Sequence, residues 1–407
     1  MNGDYLPLWP LDPEVTYLNH GSFGSCPWPV LQQQSEWRAR MERHPIQFLD
    51  GELEGHLDRA RASLAGLIRC DPDDLAFVPN ATTGVNTVVR SLDLVPGDEI
   101  LTTDHEYNAC LNAMRFAADR VGARVVVASV ALPIRSPDDV TAAVLECASG
   151  RTKLAVISHV TSPTGLVLPI ADIVNGLAER GVDTLVDGAH APGMIELDLN
   201  ALNAAYYAGN AHKWLCTPKG SAFLHVRRDR QQRVRPLVIS HGTNSPRGDR
   251  SRFRLEFDWG GTGDPTPYLS IPAGIDFLGE LLPGGWPELQ ATNRSRVMAG
   301  RQTLLAALAT DSPLAPESMI GSLAAVELPL DMAPAPGETS GEDGQTYPLD
   351  PLHDALSNEH RIEVPVYPWP HTPGDAQPRR RLLRVSAEIY NDERDYERLG
   401  SALAGRV

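Results

Sequence analysis

Between about residue 61 and residue 226, short apolar runs alternate with amphipathic stretches. Residues 99–102, 124–128 and 153–157, rich in Val, Ile and Leu, read as buried strands. Residues 137–147 and 171–180 place apolar side chains at helical spacing. A further strand is expected at 76–78, leading into a helix over 85–91, and another at 183–186. Strand and helix in series predict an α/β fold, a mostly parallel sheet with helices on both faces. Such sheets bind ligands at the carboxyl ends of their strands. Residues 104–107, Ser158, His159 and Asp187 fall at those ends.

Past roughly residue 260 the pattern changes. Helices are expected over 267–282 and 295–309, and strands over 323–328, 362–367 and 382–386, giving a smaller α+β part. Residues 334–345 and 368–378, rich in Pro and Gly, read as loops. The division this predicts is an N-terminal arm (1–20), a large domain (21–260) and a small C-terminal domain (261–407).

Composition narrows the function classes. A net charge of −16 on 407 residues argues against a nucleic-acid partner. No run of 18 apolar residues suggests a membrane span, and the start lacks the pattern of a signal peptide. Five scattered cysteines without a CxxC pair fit a reduced, cytoplasmic protein.

Lysine usage is the sharpest chemical signal. Only three of the 36 Lys and Arg residues are lysines, and Lys213 stands in Asn210-Ala211-His212-Lys213-Trp214. Arginine stays protonated, whereas lysine can become a neutral amine nucleophile and Schiff-base former. Upstream, the expected strand at 183–186 runs into Asp187-Gly188-Ala189-His190, 26 positions before Lys213. An acid at a strand end and an amine beyond it suit pyridoxal 5'-phosphate, the acid holding the pyridinium proton and the amine joining the aldehyde. Ala81, Thr82 and Thr83, at the start of a helix, offer backbone N–H groups and hydroxyls to the phosphate, although Asn80 or Thr82 there also suits an ordinary helix cap. Asn210 and His212 add donors, as does Thr262 if a partner subunit presents it. His190 and Ser162 are candidates for contacts to the cofactor. Tyr107, after His105-Glu106, is a candidate to stack on the ring. Arg384, between apolar neighbours in an expected strand, suits a substrate carboxylate or an internal salt bridge.

These residues resemble a known family. Asn80-Ala81-Thr82-Thr83, His159-Val160-Thr161-Ser162, Asp187-Gly188-Ala189-His190, His212-Lys213-Trp214 and Arg384-Val385-Ser386 look like class V of the fold-type-I pyridoxal-phosphate enzymes. With Tyr17 to Gly24, the likeness is greatest to the isopenicillin N epimerase-like branch. It implies a homodimer with active sites at the subunit interface, Lys213 as the Schiff-base lysine and Asp187 beneath the pyridine nitrogen. It also implies Arg384 on the substrate carboxylate of an amino acid, with Asn19 and His20 among the pocket walls. Desulfurases of this class need a cysteine on the loop before the Arg384 strand, and residues 368–378 contain none.

Every reading left open begins with Cα proton removal by Lys213. Expulsion of a Cβ leaving group makes the enzyme a C–S lyase on S-substituted cysteines, in sulfur or natural-product metabolism. This reading is preferred because it needs the fewest dedicated groups. Reprotonation from a second acid, for which Tyr107 or a residue of the loops at 334–345 and 368–378 is a candidate, makes it an epimerase; decarboxylating oxidative deamination is a third option. Transamination or a catalytically dead binding protein are further alternatives.

Overall fold

In the computed structural model, residues 5–329, 350–369 and 380–404 are described. The loop expected at 334–345, and nearly all of that at 368–378, lies outside the described residues. A two-residue strand, β1 (Thr16–Tyr17), precedes the main sheet. That sheet is built from β2 (Leu75–Val78), β3 (Glu99–Thr103), β4 (Arg124–Ala128), β5 (Thr152–Ser158), β6 (Asp183–Gly188), β7 (Tyr206–Asn210) and β8 (Ala222–Val226). Their spatial order is β2-β8-β7-β6-β5-β3-β4. β8 runs antiparallel to both neighbours, and the other pairings are parallel.

Helices cover the sheet on both faces, so its central strands carry buried apolar runs between polar ends. β7 and β8 are buried along their whole length, and β5 at all but one position. Parallel pairing in register brings the strand ends level. Ser158 stands opposite Asp187, and Gly188 opposite Gly209, along the edge where the chemistry-bearing residues gather.

The C-terminal part adds β9 (Leu323–Glu327), β10 (Ile362–Glu363), β11 (Val366–Trp369) and β12 (Arg380–Ser386). β11, β12 and β9 form an antiparallel sheet, against which helix Gly285–Ala307 packs. β1 pairs in parallel with β10, tying the start of the chain to its far end.

Several expected boundaries move for identifiable reasons. The helix expected at 85–91 spans Ala81–Arg90, because the Asn80 side chain caps it by accepting from Thr83 N at 2.8 Å. The strand expected over 362–367 divides into β10 and β11 around Val364-Pro365, where proline has no N–H for a ladder. The helix expected over 267–282 is two, Thr266–Leu269 and Ile271–Glu280, and that expected over 295–309 is the second half of Gly285–Ala307. Helices Trp28–Arg43 and Leu53–Ile68 were not anticipated; both pack against Ile271–Glu280.

Candidate active site

Lys213 lies on the turn joining β7 to β8. Its Nζ donates to His190 Nε2 at 3.1 Å. Burial, with the charge of Arg384 second, brings the amine down to about 7 from 10.5. Desolvation penalises the ammonium form, so the neutral, nucleophilic amine is accessible near neutral pH. The same burial, reinforced by the Lys213 charge, holds His190 well below the usual imidazole range. A neutral His190 accepting at Nε2 carries its hydrogen on Nδ1, a buried atom with no partner among the described residues. The other two lysines have structural uses: Lys219 donates to Gly24 O at 2.9 Å, and Lys153 faces Asp98 at 3.5 Å.

The turn holding Lys213 is clamped from the N-terminal side. Gly24 has φ +69, and a Cβ there would meet His212 O at 2.2 Å and Lys213 O at 2.8 Å. Neither atom can yield, since both belong to backbone, and the dihedral suits glycine alone. We expect Gly24→Ala to destabilise the fold by at least about 2 kcal/mol, combining an unfavourable dihedral with overpacking. Chemical denaturation would show it as a lower midpoint; a midpoint equal to the wild type would exclude this clamp.

Asp187 ends β6 and is buried. Its Oδ1 accepts from Ala189 N at 2.9 Å and its Oδ2 from Cys110 Sγ at 3.1 Å. Glu106 faces the same carboxylate, and both burial and the Asp187 charge push the Glu106 carboxyl well above the usual carboxylate range. Neither Cys110 nor Glu106 was anticipated as part of the site.

Arg384 is 1% exposed and has no carboxylate partner among the described residues. Its guanidinium donates to Ser162 O at 2.5 Å and Ser22 Oγ at 3.1 Å, with Asn19 Oδ1 at 3.4 Å, and lies over the Tyr367 ring. A buried cation held only by neutral acceptors is incomplete without an anion. The internal salt bridge weighed from sequence is therefore absent among the described residues.

At the helix start, Ala81 N donates to Asn210 Oδ1 at 2.8 Å, while Thr83 N and Oγ1 both serve Asn80. The Thr82 N–H is the one of the three with no acceptor among the described residues. Asn210 thus fastens the helix start to the sheet. His212 anchors through Nδ1 to Ser221 O at 3.1 Å. An orphaned N–H at a helix N-terminus, an amine, an acid at the strand end and an unpaired buried arginine together fit a phosphorylated pyridine aldehyde and an amino-acid carboxylate.

Other expected positions shift. His20, expected against the substrate, is fully buried behind the lysine: Nε2 donates to Lys213 O at 2.9 Å and Nδ1 accepts from Tyr390 Oη at 2.7 Å. Burial holds it down to about 3, so it is a neutral strut. Ser162, expected on the cofactor, gives its carbonyl to Arg384 instead. His105 is buried, with its ring nitrogens at Thr164 Oγ1 and Val130 O. Tyr107 is 44% exposed. Thr262 lies on an exposed loop, accessible to a second chain.

The aminotransferase class-V family model matches residues 29–253. The chain belongs to that family. Its members are pyridoxal-phosphate enzymes, and this class-V chain is one of them. It is 39% identical to an isopenicillin N epimerase of Amycolatopsis lactamdurans, over 97% of this chain and 95% of the relative. It is 30% identical to a probable chloroplastic L-cysteine desulfhydrase of Arabidopsis thaliana, over 97% of this chain and 84% of the relative. Its fold matches a complex of the cystine C–S lyase C-DES with cysteine persulfide, at TM-score 0.78 and 23% identity, covering 96% of this chain and 98% of that one. No helix among the described residues is long and apolar enough to cross a membrane.

Proposed function

We propose that this class-V chain catalyses β-elimination from an S-substituted L-cysteine, releasing a thiol, pyruvate and ammonia. The observation that carries the reading is a shielded acid–base pair, Lys213 and His190, joined at 3.1 Å. Elimination needs one base at Cα, whereas inversion needs a second acid on the opposite side. Tyr107, the sequence candidate for it, is 44% exposed in the chain. Bound pyridoxal phosphate supplies the electron sink that stabilises a Cα carbanion. Asp187 would hold its ring nitrogen, Tyr107 would cover its face, and Thr82, with His212, would hold the phosphate. Arg384, presented by Asn19, Ser22 and Ser162, binds the substrate carboxylate and turns the Cα–H bond toward Lys213. The Lys213 amine takes that proton and the Cβ–S bond breaks, the thiolate leaving; the released enamine tautomerises and is hydrolysed by one water to pyruvate and ammonia.

Identity to isopenicillin N epimerases supports a second reading, Cα epimerisation. Incubation in D₂O with a panel of S-substituted L-cysteines and with isopenicillin N separates the two. Thiol and pyruvate release from the cysteines is expected. Deuterium entry at Cα with inversion and without pyruvate would overturn elimination in favour of epimerisation.

The active assembly is proposed to be a homodimer. Phe23 (70% exposed) and Trp28 (55%) flank the segment that clamps Lys213, and large apolar side chains so placed suit burial by a second copy. Sedimentation is expected to give twice the 44.2 kDa chain mass, and a stable monomer with full activity would refute it.

A further inference from the structure

Three strand ends bring an unusual pair together. Glu106 follows β3, Ser158 ends β5 and Asp187 lies in β6, and these strands are consecutive in the sheet. Glu106 is 3% exposed and Asp187 4%. Oxygens of both carboxyls lie with Cys110 Sγ in one group whose atoms are all within 4.8 Å of one another. Glu106 Oε1 accepts from Tyr107 N at 2.9 Å, but Oε2 is buried with no conventional partner among the described residues. What Glu106 does face is Asp187, with Ser158 also in hydrogen-bonding contact with its carboxyl.

Two ionised carboxylates at this separation, out of water, repel strongly, and one of them keeps a proton. Asp187 already accepts from Ala189 N and Cys110 Sγ, so both its oxygens serve as acceptors. Glu106 has the Tyr107 N–H on Oε1 and the Ser158 hydroxyl against its carboxyl, while Oε2 has no conventional partner among the described residues. A proton on Oε2 removes the repulsion and supplies the missing hydrogen bond at once.

We propose that Glu106 is a positioning residue, held as a neutral carboxylic acid that donates its proton to Asp187. Resting on the cofactor reading above, this gives Asp187 a third donor that fixes the carboxylate toward the ring nitrogen and keeps the site's net charge at a single negative. Paired with a pyridinium, that single charge is neutralised; an ionised Glu106 would leave an uncompensated buried charge.

Infrared difference spectra of wild type and Glu106→Gln, on both apoprotein and cofactor-loaded protein, test the protonation state. They should be taken well above the value of about 7 to which burial raises Glu388, so that Glu388 does not contribute. A protonated-carboxyl C=O stretch, sensitive to D₂O and absent in Glu106→Gln, is expected. Its absence from wild type overturns the proposal. Glutamine also presents an N–H donor, so Glu106→Gln is expected to bind pyridoxal phosphate within about threefold of wild type. Glu106→Leu removes the donor and is expected to weaken binding by tenfold or more. Equal weakening in both variants would overturn the donor role, and should Glu106→Leu not fold, the Glu106→Gln affinity and the band decide. Should the wild type take up no cofactor, the cofactor reading fails, while the apoprotein band still decides the state of Glu106.

Discussion

Lys213→Arg is expected to lower kcat by about 10³-fold, within the range for loss of a positioned acid–base group. Arginine keeps the positive charge and nearly the same reach, so the comparison isolates the ability to lose a proton. The surroundings of Lys213 are arranged for that loss, with burial and the Arg384 charge drawing the amine down to about 7. A guanidinium stays charged under the same pressure. Steady-state turnover, together with the visible absorbance of bound cofactor, would measure both consequences. Retention of activity within tenfold would remove Lys213 from its assigned role.

The second large effect is expected at Arg384. Arg384→Ala should lower kcat/KM by roughly 10²- to 10³-fold, because truncating one side of a desolvated charge pair costs about 2–5 kcal/mol. The loss should vanish for an amine analogue that lacks the carboxylate, which separates recognition from general damage. There is also a pH signature. Lys213 must be unprotonated to act, so activity rises with pH through its midpoint, near 7 in the wild type. Removing the Arg384 charge raises that midpoint, and the variant should recover part of its activity as the pH is raised. An unmoved pH profile would show that the two groups do not communicate.

The sequence was informative where chemistry is carried by residue type and rank along the chain. A strand end bearing Asp187 and a rare lysine beyond the next strand are visible without coordinates, as is an arginine set among apolar neighbours. What stayed hidden depends on which strands lie side by side. Glu106 and Asp187 are 81 positions apart, and only the order β6-β5-β3 brings their carboxyls together. His20 looked like a pocket residue because it lies beside Asn19, which does reach Arg384. The short helix His20–Phe23 turns the neighbouring side chain the other way, into the space behind Lys213. Ser162 was placed correctly at a turn but assigned by its hydroxyl, whereas its carbonyl makes the short contact to Arg384. Helices Trp28–Arg43 and Leu53–Ile68 were missed because charged and amide residues interrupt their apolar stripes, and in the second one of these, Arg61, is itself buried.

The seam between the two ends of the chain has a bearing on biosynthesis. His20 backbone N donates to Ser386 Oγ at 2.8 Å, across 366 steps of sequence, and the His20 imidazole waits for Tyr390. While the ribosome is still making the C-terminal part, residues 16–24 have neither β10 nor Tyr390 to dock on, and the lysine turn is left unbraced. Most of the main sheet can form from what has already emerged, while the brace on the lysine turn waits for residues 362–390. A chain stalled before residue 390 should therefore show native-like strand content while taking up cofactor weakly. The brace behind the lysine is in this way timed by the emergence of β10, Ser386 and Tyr390.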